Sequence, residues 1–323
     1  MKYLVKKYHS KYQNQWNAFV QTSANGTFLQ QRDYMDYHSD RFEDYSLMIF
    51  KEEKLLAVFP AHLSDNQLFV HNGLTYSDVI FLPDFRMAYR IEVYQALFDF
   101  LYSEGIAKIH IKTIPAFLMS QKDESNLYLY YKMQADLTEV KPFFVIETTE
   151  GIKLNKDRKK NLNRLQKLPF LFSEDKKHLS DFWQIVTTNL ANKHQTTPVH
   201  SLSEMQLLSQ RFPEKIKLFT LFLEGELVSG ALVFVINNSL HFQYIHSSTN
   251  KQSRQGVDYL IWQILDRYAG DYQFVSFGSS SKGSQALDKG LAYWKQSFGA
   301  QMYNQYFYTI DLSNRHLLND ILQ

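Results

Sequence analysis

The chain has 323 residues, 45% of them hydrophobic and 21% charged, which excludes a disordered chain and suffices for two domains with cores of their own. A net charge of +2 gives no global attraction to DNA or to a membrane surface, and the absence of cysteine removes disulfides, thiol catalysis and cysteine-ligated metal centres. The first sixteen residues are polar and lysine-rich and no long apolar run follows, so neither a signal peptide nor an integral membrane contact is expected, and the expected location is the cytoplasm.

In chain order, a short strand is predicted at 3–8, a helix at 13–21 stopping near Asn25 and Gly26, and a second helical piece at 31–38. Residues 46–50 and 55–63 are apolar segments joined by a charged turn, the pattern of a β-hairpin, and 67–70 and 79–81 add strand material. Ile91, Tyr94, Leu97, Phe98 and Leu101 mark a helix ended by Gly105, and 108–114 is a strand closed by Pro115. After this the order repeats. Helices are predicted near 179–190 and 203–211, strands at 216–223, 227–236 and 240–247, a helix over 257–268 and a strand over 272–277. EEKLLAVFPAHL (52–63) and EGELVSGALVFV (224–235) hold the same place in each copy at an offset of 172 residues, and the later helices are offset by 166. The expectation is an α/β protein with a mixed sheet, built as an internal duplication with domains at 1–150 and 151–323.

The stretch 239–280 reads strand, basic loop, helix, strand, and a crossover of this kind makes the two strands parallel. Alternation places Leu240, Phe242, Tyr244 and His246 on one strand face. The loop 250–256 (NKQSRQG) is expected to open the helix, where free backbone N–H groups and the cations Lys251 and Arg254 would suit a phosphate; ordinary loop chemistry accounts for the same residues. Between Lys153 and Lys167 seven basic residues meet one acid, a local +6 that leaves the rest of the chain at −4. That helix is either a solvated linker or a phosphate-binding wall. GSSSKGS (278–284) places its lysine before the second glycine, so it is read as a flexible loop with Ser279 and Ser280 lining a cleft, not as a nucleotide loop. The eleven histidines show no HExxH spacing, and no metal is expected. His246 and Tyr244, at the end of their strand, are either a base and an acid or satisfied core residues.

NGTFLQQRDYMDYHSDRF (25–42), HNGLTYSD (71–78), DRKKNLNRL (157–165) and FGSSSKGSQALDKGLAYWKQSFGA (277–300), set in two copies of this element order, resemble the tandem GNAT proteins of the FemAB-like group. The resemblance implies two GNAT-like domains, the second holding the acyl donor and the first contributing acceptor contacts. It implies an N-acyltransferase that moves an acetyl or aminoacyl group to an amine of a sugar, a cell-envelope or peptidoglycan precursor, or a small amino compound. By the same resemblance Lys251, Arg254, Gln255, Gly256, Ser279 and Ser280 bind the donor, Arg158, Lys159 and Tyr76 bind the other substrate, and Lys295 joins His246 and Tyr244 as a catalytic group. The implied co-substrate is an acyl-CoA such as acetyl-CoA, with a charged tRNA as the alternative donor. The GNAT anchor wants Arg or Gln, two residues, Gly, one residue, then Gly or Ala; here Ser253 and Asp258 depart from it and Gly256 alone matches. A duplicated scaffold that binds without catalysis is the reading from another class.

Overall fold

The computed structural model describes residues 3–248, 251–283 and 286–322, without the side chains of residues 193–194 and 251–254. It contains two compact units, Met1–Lys141 with Asn304–Gln323, and Pro142–Tyr303. The order of elements predicts a boundary near Glu150; the observed units differ because the strand that ends each repeat pairs within the other repeat's unit.

In the first unit come β1 (Tyr3–Lys7), α1 (Gln13–Gln21), α2 (Arg32–Met35), β2 (Glu43–Asp44), β3 (Leu47–Lys51), β4 (Lys54–Phe59), β5 (His62–Ser64) and β6 (Gln67–Phe69). They are followed by β7 (Ile80–Phe81), α3 (Met87–Ser103), β8 (Lys108–Lys112), α4 (Ser125–Lys132) and the start of β9 (Asp136–Glu147). The predicted hairpin is β3 and β4, antiparallel with Leu47 opposite Phe59. One sheet runs β1-β3-β4-β7, and β8 pairs with both β6 and residues 307–311 of the closing strand. Leu97, Phe98 and Leu101 of α3 enter a core with Leu47, Ile49 and Phe59, as the helical spacing requires.

In the second unit come α5 (Lys156–Leu165), β10 (Phe170–Glu174), α6 (Leu179–His194), α7 (Leu202–Arg211), β11 (Ile216–Leu223), β12 (Glu226–Ile236), β13 (Ser239–Ser247) and α8 (Lys251–Tyr268). Then follow β14 (Phe274–Ser279), the small pair β15 (Ser281–Lys282) and β16 (Ala286–Leu287), α9 (Lys289–Gln296) and the start of β17 (Gln301–Asp311), whose remainder belongs to the first unit. The sheet order is β10-β11-β12-β13-β14-β9, antiparallel except for β13 and β14. Leu260, Ile261, Ile264 and Leu265 of α8 pack on Phe219, Leu221, Val233 and Val275 of that sheet, all almost wholly buried.

Two local expectations fail for stated reasons. The helix α8 starts at Lys251, so residues 251–256 are its first turns and not a loop before it. On β13 the alternation breaks, because the register against β12 shifts between Leu232 opposite Tyr244 and Val233 opposite Phe242, which leaves Gln243 as the extra residue of a β-bulge. Phe242 therefore joins the α8-side core while Tyr244 turns to the opposite face, against Trp183 of α6.

Candidate functional site

The site of the second unit begins with a parallel pair that stays together for three residues. β13 and β14 pair only over Ser239–Phe274, Leu240–Val275 and His241–Ser276. Beyond that point the Gln243 bulge bends one strand. On the other, Gly278 sits at φ 69°, and the pairing of β14 with β9 breaks between Ser276 and Ser279. The strands part, and a cavity of about 400 Å³ opens in the gap. Phe242, Ile245, Val257, Phe277, Leu291 and Trp294 supply apolar walls, and Gln243, His246, Ser279 and Lys295 supply polar ones. Apolar walls with polar groups converging on the same hollow are the usual make-up of a small-molecule site.

Lys295 is only 3% exposed, a rare state for a lysine. Its Nζ donates to the carbonyl oxygens of Gly278 (3.0 Å) and Ser279 (2.6 Å), the place where β14 turns away. In its ammonium form it has three N–H donors, one more than these two carbonyls use. Burial pulls this amine down to about 7, opposed by the negative charge of Asp288. Asp288 caps α9, accepting the Leu291 N–H at 2.8 Å. Beneath the cavity wall the Trp294 indole N–H donates to Asp258 (2.8 Å), which also accepts from Asn161 (2.9 Å) and forms an ion pair with Arg158. Arg158 donates to Ser297 Oγ at 3.0 and 2.8 Å and lies 4.3 Å over the Phe298 ring.

These contacts revise several expected roles. Arg158 is spent on Asp258, Ser297 and Phe298, so it is a prop for α9 and not a substrate contact; its neighbour Lys159 is exposed. Gly256 lies in the second turn of α8, past the four N–H groups a helix leaves free, and a Cβ there would stand 3.4 Å from Leu221 and Val228. It lets the helix lie close on the sheet and offers no amide to a phosphate. Gln255 is half-buried beside it, and the side chains of Lys251 and Arg254 lie outside the described residues. Ser279 lines the cavity with its Oγ 2.9 Å from that of Ser281, whereas Ser280 is buried, its Oγ without a hydrogen-bond partner and away from the cavity walls. In the first unit Tyr76 is 1% exposed, its hydroxyl 3.3 Å from Thr27 Oγ1, so it is core and not a substrate contact.

His246 reaches the cavity, but Tyr244 does not share its wall. The Tyr244 hydroxyl lies 2.9 Å from His200 Nδ1, and burial pushes it up to about 12, so it stays protonated. His200, and His241 with its Nδ1 3.1 Å from Ser276 Oγ, went unnoticed in the sequence because their partners are 44 and 35 residues away and no spacing rule links them. His241 is held down to about 4 by burial and by the charge of Lys295. Among the described residues no cluster of three or more metal-ligating side chains occurs, and no helix is long and apolar enough to cross a membrane.

No family model matches the sequence, and no curated protein matches it significantly. Among solved structures, FemX superposes with a TM-score of 0.69 at 12% identity over 100% of both chains. The chain has a FemX-like tandem GNAT fold. Lysylphosphatidylglycerol synthetase from Bacillus licheniformis gives 0.61 at 13% identity, covering 94% of this chain and 92% of the other. A tandem GNAT protein from the clavulanic acid biosynthesis pathway gives 0.50 at 9% identity over 96% and 99%. At such identities the likeness establishes the tandem GNAT fold and leaves function to the site.

Proposed function

We propose that this chain is an N-acyltransferase whose second unit takes an activated acyl group between β13 and β14 and passes it to an amine of a sugar, a cell-envelope precursor or a small amino compound. The observation that carries the reading is the splayed parallel pair with buried Lys295 at its apolar cavity. An acyl thioester such as acetyl-CoA would supply a carbonyl already activated toward nitrogen. The apolar gap fits the slim arm of such a carrier; Gly256 does not fit its pyrophosphate, for the reasons of helix position given above. In the transfer the amine nitrogen forms a bond to the carbonyl carbon, the bond to the carrier breaks, and the amine's proton leaves. The third N–H of protonated Lys295 and the backbone at the Gln243 bulge are the groups at this cavity suited to meet negative charge on the carbonyl oxygen. His246 is the group at the cavity able to accept the proton.

Turnover of acetyl-CoA with a panel of amine acceptors tests these roles. Lys295→Met is expected to lower kcat by about 100-fold or more and His246→Ala by a similar factor, the usual cost of removing one oxyanion donor or one general base. Full turnover in both variants would refute both roles.

A second reading, transfer of an aminoacyl group from a charged tRNA, is favoured by one observation. Lys156, Lys159, Lys160, Arg164 and Lys167 are all exposed along α5 and its end. If they bind RNA backbone, affinity for tRNA should fall steeply with salt, by about tenfold or more between 50 and 200 mM. A flat response removes this reading.

A further inference from the structure

The donor cavity is short of negative charge, and this limits what can enter it. None of the described residues lining it is an aspartate or glutamate. Asp258, behind the wall, is paired with Arg158 and accepts from Asn161 and Trp294, and Asp288 accepts the Leu291 N–H within α9 while its charge acts on Lys295. Among the described residues that line it, the ionisable groups are His246 and Lys295, both bases. Of the aromatic walls, Phe242 and Phe277 stack on each other at 5.3 Å, which uses one face of each ring.

On the reading of this gap as the acyl-donor site, we infer that it accepts an acyl group that is uncharged or carries a carboxylate, and refuses one that carries an ammonium. An ammonium would lie in a partly apolar hollow beside Lys295, with no carboxylate among the described lining residues to offset its lost hydration. A carboxylate would find Lys295. The low value already imposed on the Lys295 amine points the same way, since burial there penalises even the one cation the protein places itself. The inference separates the two donors considered above. A simple or dicarboxylic acyl group fits. An aminoacyl group, whose α-amine is largely protonated near neutral pH, does not.

The test uses two nearly isosteric thioesters of N-acetylcysteamine, butyryl and β-alanyl, which differ at the chain end by methyl against ammonium and carry no phosphate. Binding of each to the full chain is measured by calorimetry at pH 7. The β-alanyl thioester is expected to bind about tenfold or more weaker than the butyryl one, the scale set by a like charge at close range in a partly dry site. In Lys295→Met the gap should shrink to about threefold, and Lys295→Gln, which keeps a donor for the Gly278 and Ser279 carbonyls, should do the same if the methionine variant fails to fold. Equal or tighter binding of the β-alanyl thioester, or turnover with a charged tRNA, overturns the inference while leaving the donor cavity standing. Binding of neither thioester overturns the donor-cavity reading itself and the inference with it.

Discussion

Asp258→Ala should lower the stability of the second unit by about 3 kcal/mol, the scale expected when one member of a largely buried ion pair is removed. Arg158 and Asp258 are 10% and 15% exposed, so little water would replace the lost partner. The truncation also takes the acceptor from the Trp294 indole and from Asn161, and the loss of those two hydrogen bonds is part of that figure. Arg158 keeps Ser297 and the Phe298 ring, which sets a ceiling on the loss. Asp258→Asn should cost less, because an amide oxygen can still accept from Trp294 but carries no charge for Arg158. The double replacement Arg158→Met with Asp258→Leu should recover most of the loss, since no unpaired charge is then left buried. Denaturant melts followed by tryptophan fluorescence would read all three. If Asp258→Ala melts like the parent, the pair is not what holds α9 against α5 and α8.

That prediction marks the limit of what the sequence could say. DRKKNLNRL is legible as a basic helix, and α5 is one, but nothing in the string tells Arg158 from Lys159. One is folded onto a carboxylate 100 residues away and the other stands in solvent. Periodicity served where a single face meets a core, as on α3 and α8, because burial there imposes the 3.6-residue repeat directly. It failed on β13, where one inserted residue inverts the faces and moves Tyr244 from the cavity side to Trp183 and His200. A bulge has no signature in Phe242, Gln243 and Tyr244 themselves. The start of α8 was hidden in the same way, since Gly256 reads in sequence as the end of a loop before the helix and is a close-packing residue within it. Lys295 was legible as a candidate through its motif; its burial and its two carbonyl partners were not.

The first unit should be acid-labile, losing about 4 kcal/mol between pH 7.5 and pH 5, and two histidines in a buried imidazole cluster, His62 and His71, are the reason. His38, His62 and His71 are 1%, 4% and 4% exposed; the rings of His38 and His71 stack at 4.9 Å, with His62 5.6 Å from His71. Phe42 packs against all three and Tyr37 stacks on His38 at 4.2 Å. Burial, then the charge of Lys112 and the nearby His38, hold His62 down to about 4, with Asp44 opposing. Burial and the neighbouring histidines hold His71 lower still. Both values lie below that of a histidine in the unfolded chain, near 6.5, so the unfolded state binds the proton first. Stability is therefore complete above about pH 6.5 and is lost as pH falls toward 4, at about 2 kcal/mol for each of these two histidines by pH 5. Protonation has a local consequence as well. His62 Nδ1 accepts the Asn72 N–H at 3.2 Å, and a protonated ring can no longer do so. The segment that begins at His71 would lose that anchor while Lys112 still holds the carbonyl oxygens of Asn72 and Leu74. His71→Phe keeps an aromatic ring and does not titrate, and because His71 sits at φ 46° any cost of the bulkier ring there is the same at every pH. Melts of the parent and of His71→Phe at pH 7.5, 6 and 5 should give a pH-dependent loss smaller by about 2 kcal/mol in the variant. Parallel curves for the two proteins would mean that His71 is not the group that takes up the proton.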